Sequence, residues 1–82
     1  MLKTHILDIG RIRVPVKRAK TLDPVKVDEI AESIIEEGQK VPIQVRVDGE
    51  GYVLIEGLHR LEALRALGEA EIQSYLVQAR KF

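Results

Sequence analysis

With 82 residues, 45% of them hydrophobic, the chain is long enough for one domain with a single core and too short for two. Thirteen basic and thirteen acidic residues cancel, which weighs against a domain that binds duplex DNA by phosphate neutralisation alone. The lack of cysteine rules out disulfides, thiolate metal sites and a thiol nucleophile; no stretch reads as a signal sequence or a membrane span, so a cytoplasmic protein without membrane contact is expected.

Along residues 6–16 the pattern alternates, with Ile12, Val14 and Val16 on one side and Arg11, Arg13 and Pro15 on the other. It predicts a half-buried first strand near a sheet edge. Lys17-Arg18-Ala19-Lys20 reads as a short basic loop. Asp23 can cap a helix and Pro24 fits the first helical position, so a helix is predicted from there to about Glu37, stopped by Gly38. Val27, Ile30, Ala31, Ile34 and Ile35 give it one apolar face, with Lys26, Glu29, Ser33 and Glu37 on the other side. Residues 42–47 alternate again, Ile43, Val45 and Val47 inward, before the hairpin chemistry of Asp48-Gly49-Glu50-Gly51. The strand that follows, residues 52–55, has no polar break and is expected to be covered on both faces. At Gly57 the period becomes helical, with Leu58, Leu61, Leu64 and Leu67 every third residue. Gly68 ends that helix, residues 72–77 read as a last strand, and Arg80-Lys81 is a basic end. The order β-α-β-β-α-β predicts a single α/β (α+β) domain over residues 1–82, a mixed sheet of about four strands with two main helices.

The strand-to-helix turn at Gly57 is the candidate site. The first turn of a helix leaves backbone N–H groups without partners and carries roughly half a positive charge, so a glycine-led start suits an anion. His59 and Arg60 in that turn can both donate, which makes phosphate the natural ligand to expect. The alternative of a turn glycine, a solvated imidazole and a surface cation stands beside it on these residues alone. His5 has no partner pattern, and two histidines without a spaced cluster predict no metal site; Mg²⁺ would arrive with a nucleotide.

Arg18, Ile30-Ala31-Glu32-Ser33-Ile34, Gly38 with Pro42-Ile43-Gln44-Val45, and Gly57-Leu58-His59-Arg60 occur in an order and spacing that resembles the ParB/sulfiredoxin superfamily. The resemblance covers about residues 6–80 and implies a small α/β domain with a nucleotide's phosphates on the helix after the G-x-x-R turn. Residues 22–27 and 75–78 look like sulfiredoxin, whose phosphate motif is glycine, cysteine, histidine, arginine. Leu58 stands where that cysteine belongs, so the thiolate chemistry is not expected here. The resemblance assigns Gly57, Leu58, His59 and Arg60, with Lys26 and Ser33, to the nucleotide. Glu29 falls where sulfiredoxins have a small hydroxyl residue, a departure at the adenosine end. The ParB branch reads G-E-R-R and uses CTP; His59 replaces its first arginine, and no helix-turn-helix reader is expected within these residues. Glu56-Gly57-Leu58-His59-Arg60 also fits the form found in free-serine kinases, which makes Glu56 the candidate catalytic group, orienting Mg²⁺ or a hydroxyl. Arg18, with Lys17 one residue away as the alternative, is expected near the phosphates.

The expected function is a nucleotide-binding domain for ATP or another nucleotide, with or without Mg²⁺, whose reaction class, if it turns over, is NTP hydrolysis or phosphoryl transfer. Two alternatives are a DNA-associated, partition-type accessory protein acting through a partner, which neutral charge does not favour, and a ligand-free scaffold. A protein partner or a homodimer is compatible with each.

Overall fold

A computed structural model of the chain describes residues 3–78. Strand β1 (Thr4–Asp8) leads into a 3₁₀ turn (Ile9–Arg11) and a two-residue strand β2 (Ile12–Arg13). Then come α1 (Val16–Ala19), α2 (Pro24–Glu37), β3 (Ile43–Asp48), β4 (Gly51–Glu56), α3 (Leu58–Ala66) and β5 (Glu71–Leu76). The sheet has five strands in the order β1-β5-β3-β4-β2, antiparallel at β1/β5 and β3/β4 and parallel at β3/β5 and β2/β4. The mixed sheet and α+β layout agree with the sequence, with one strand more than expected.

The extra strand comes from the first segment. Residues 6–16 are not one strand: Asp8 accepts a hydrogen bond from the Gly10 N–H at 3.2 Å and caps a 3₁₀ turn that carries the chain from one sheet edge to the other. In a flat sheet β1 and β2 would lie about 19 Å apart, yet four residues of chain reach roughly 14 Å at most. The sheet is therefore curled, and Leu7, Ile9 and Ile12 are buried within the curl. The same geometry leaves Val16 exposed rather than inward, because the chain has already turned into α1, where a basic loop was expected. Arg80 and Lys81 lie outside the described residues.

The core is formed by Ile43 and Val45 of β3, Leu54 of β4, Ile72 of β5 and Leu58, Leu61 and Leu64 of α3. Side-chain alternation explains the first set and helical spacing the second. Val53 and Leu54 are consecutive and both buried, as expected for a strand covered on two faces; Val53 is flanked in register by Arg46 and Arg13. Val47, expected inward, is exposed near the hairpin end of β3. Asp23 caps α2 through the Val25 N–H at 3.0 Å, with Pro24 at its first position. That helix packs on α3 and buries none of its residues fully: Ile34 sits against the core, while Ile35 is 70% exposed. The Gln39 amide extends the sheet beyond β3 by accepting from the Gln73 N–H at 2.8 Å and donating to the Gln73 carbonyl at 2.9 Å.

Candidate functional site

Strand β4 ends at Glu56, and Gly57 turns the chain into α3 with φ 107° and ψ 31°. Only glycine suits this position, since the dihedral lies in the left-handed region. A Cβ there would also lie 2.6 Å from Ile43 Cγ2. The helix start is thereby pressed against the sheet, directly after the strand. The first intrahelical bond runs from the Leu61 N–H to the Gly57 carbonyl, and no side chain caps the end. The N–H groups of Leu58, His59 and Arg60 therefore lie in the turn that the helix itself leaves unpaired.

A cleft of about 380 Å³ opens over this turn, lined by Arg18, Thr21, Lys26, Ile30 and residues 56–60. Of the sequence-derived site residues it brings together Arg18, Lys26, Glu56, Gly57, Leu58, His59 and Arg60. Ser33 is placed elsewhere, in a smaller pocket of about 150 Å³ with Glu29 and Lys40. Ile30 and Arg60 line both, so the two hollows adjoin across the gap between α2 and α3. Arg18 lines the cleft, whereas Lys17 lines neither hollow.

Three cations, Arg18, Lys26 and Arg60, face one carboxylate, Glu56, in the cleft. Arg18 Nη2 donates to Glu56 Oε1 at 3.2 Å and Nη1 to Oε2 at 3.5 Å. Both partners are partly exposed, so the pair adds little to stability; it ties the guanidinium to the end of β4, at the rim of the cleft. Thr21, which the sequence reading passed over, donates its hydroxyl to the Arg18 carbonyl at 2.7 Å and closes that loop. A loop hydroxyl three residues after Arg18 was the available signal.

His59 has a partner no local pattern reveals. Its Nε2 accepts the Asp23 backbone N–H at 3.0 Å, tying the start of α3 to the cap of α2. Nε2 as acceptor assigns the ring proton to Nδ1, leaving one ring donor for a ligand. The Leu58 side chain, by contrast, is buried in the core, so this residue can offer an anion only its backbone N–H. Among the described residues no three His, Asp or Glu side chains are placed to hold a metal ion, and no helix is long and apolar enough to cross a membrane. The basic segment before the cleft is largely committed: Arg13 pairs with Asp48 at 3.2 Å, and Arg11 donates to the Glu50 carbonyl and stacks over Tyr52. Those contacts pin β2 to the β3–β4 hairpin instead of leaving a free basic stripe.

Residues 2–81 match the model of the ParB N-terminal domain. The chain is 43% identical over 63 residues to the chloroplastic/mitochondrial sulfiredoxin of Arabidopsis thaliana, which covers 76% of this chain and 50% of the relative. It is 39% identical over 62 residues to the probable chromosome-partitioning protein ParB of Campylobacter jejuni, covering 76% of this chain and 22% of that protein. It thus spans about half or less of the curated relatives it matches. Among solved structures, the Arabidopsis sulfiredoxin superimposes with a TM-score of 0.83 at 32% identity, over 94% of this chain and 86% of that one. Two more distant structures share the fold: truncated Caulobacter crescentus ParB complexed with CTP-γ-S (TM-score 0.81, 19% identity, 96% of this chain and 46% of that one) and a free serine kinase in complex with AMP (TM-score 0.81, 20% identity, 94% and 32%).

Proposed function

Because this chain belongs to the ParB N-terminal domain family, we propose that its cleft binds the phosphates of a nucleotide, ATP or another, at the start of α3. The observation that carries this reading is the convergence of Arg18, Lys26 and Arg60 on an uncapped helix N-terminus whose glycine is required by both dihedral and packing. In it the N–H groups of Leu58, His59 and Arg60 and the Arg60 guanidinium hold phosphate oxygens, His59 donates from Nδ1, and Lys26 and Arg18 balance the charge. The adjoining hollow at Glu29, Ser33 and Lys40 receives the nucleoside end. Two proteins of the same fold were solved with nucleotides, CTP-γ-S and AMP, which supports the ligand class.

Sulfinate reduction through residue 58 is excluded, since a buried leucine offers no nucleophile. If the nucleotide is turned over, positioning and charge stabilisation are the means available, with Glu56 the carboxylate placed to orient a hydrated Mg²⁺ or an acceptor hydroxyl. The test is a melting-temperature panel with ATP, ADP, CTP and GTP, with and without Mg²⁺. Ligand at about one hundred times its Kd adds roughly 2.7 kcal/mol, and each kcal/mol moves Tm by about 4–8 °C in a domain of this size. Arg60→Ala should remove much of the shift, while Arg65→Ala, more than a turn further along α3, should leave it. No shift with any nucleotide, or equal behaviour of the two variants, would sink the proposal.

A further inference from the structure

The five-stranded sheet has two edges, and they are finished differently. β2 has two residues, follows a 3₁₀ turn and is stopped by Pro15, so it offers no strand to pair with. β1 has five residues, among the described residues pairs with β5 alone, and carries no proline or bulge. Between Lys3 and Asp8 its residues Thr4, His5, Ile6 and Leu7 have no formal charge with the histidine neutral, and Ile6 is 60% exposed. Natural edges are usually protected by charge, proline or brevity. This one has little of the three.

The hydrogen-bonding phase of β1 follows from its neighbour. Gln73 lies opposite Ile6, and both the N–H and the carbonyl of Gln73 are taken by the Gln39 amide on the far side of β5. Ile6 and Gln73 therefore form a pair without mutual hydrogen bonds, and the N–H and carbonyl of Ile6 point out of the sheet. The Ile9 N–H, three residues on and of opposite phase, bonds inward to the Ala70 carbonyl at 2.9 Å, as this phase requires.

We propose that β1 is a self-pairing edge: two copies of this chain join antiparallel across a two-fold axis at Ile6, making one continuous sheet. In that register Ile6 faces Ile6 and exchanges both outward hydrogen bonds, His5 faces Leu7, and Thr4 faces Asp8, whose carboxylate can accept the threonine hydroxyl. No like charges stand opposite each other. Sliding the partner by two residues in one direction sets Asp8 against Ile6, an apolar–charge mismatch. The Ile6-centred register avoids that mismatch, and such isologous contacts close on themselves as dimers. Ile6 also lines a hollow of about 350 Å³ whose walls are mixed, with Ile34, Leu64 and Ile72 beside Glu69 and Glu71. With five residues a side the seam is smaller than the roughly 1,000 Å² of a stable interface, so the association is weak and concentration-dependent.

Sedimentation equilibrium of the whole chain should show reversible growth from the 9.3 kDa monomer towards twice that mass as concentration rises towards about 1 mM, where even a 4 kcal/mol association is half complete. Ile6→Pro removes an outward N–H that β5 does not use, so it should keep the circular-dichroism spectrum and Tm within a few degrees while abolishing the dimer. The chain has no cysteine, so Ile6→Cys gives a single thiol. In a hydrogen-bonded antiparallel pair the Cα atoms are about 5.5 Å apart, within the disulfide range of about 4.4–6.8 Å, and mild oxidation should cross-link it selectively against Ile35→Cys. A monomer at every concentration, a dimer untouched by Ile6→Pro in folded protein, or equal cross-linking of the two thiols would overturn the proposal.

Discussion

The Gly57→Ala substitution tests the turn on which the cleft depends. Two separate costs are built into the position. An L-residue held in the left-handed region costs about 1–2 kcal/mol, and the new methyl would sit 2.6 Å from Ile43 Cγ2 and 2.9 Å from its Cβ. Ile43 is almost wholly buried between β4 and β5 and cannot swing aside, so the overpacking adds about 1–3 kcal/mol. The sum, roughly 2–5 kcal/mol, is a large part of the 5–15 kcal/mol that holds a typical domain together. Urea unfolding followed by circular dichroism should show it as a lower midpoint with an unchanged slope. Repeating the substitution in an Ile43→Ala background separates the costs: removing Cγ2 should relieve part of the clash and leave the backbone cost, giving a coupling of about 1 kcal/mol between the two sites. A Gly57→Ala variant within about 0.5 kcal/mol of the parent, the range of an ordinary surface change, would show that the turn relaxes freely and that neither argument holds.

Leu61→Ala and Leu64→Ala, at buried positions of α3, should each cost about 2–5 kcal/mol, read as lower urea midpoints or loss of soluble protein; unchanged melting of both would contradict the packing of this helix. Glu56→Gln removes the carboxylate that, among the described residues, lines the cleft with these cations, and releases Arg18. Without Mg²⁺ it should tighten nucleotide binding about fivefold, the weight of the roughly 1 kcal/mol between unit charges 4 Å apart in water. Titration calorimetry showing weaker binding instead would make the ion pair a positioning device that the site needs.

How far the sequence could be read depended on whether a signal was local. Asp23-Pro24, Asp48-Gly49 and the change of period at Gly57 each act within a few residues, and the helix starts and the hairpin fall where they predict. Alternation along residues 6–16 says which residues share a face but nothing about which strand lies alongside, so the passage from one sheet edge to the other was invisible. Its only local mark was Asp8 two residues before Gly10, the cap of the 3₁₀ turn. The same limit applies to the site. Helical periodicity puts Lys26 and Ser33 on one face of α2, yet seven residues of helix separate them by about 10 Å along the axis. One position therefore opens on the cleft and the other on the hollow beside it. What joins the two is Ile30 of α2 together with Arg60 of α3, the latter reached only through packing, and the 36-residue link from Asp23 to His59 has the same origin. A ligand that needs both hollows must pass Arg60. The Arg60→Ala variant should therefore weaken binding of a nucleotide and of inorganic triphosphate alike, whereas Ser33→Ala should affect the nucleotide alone.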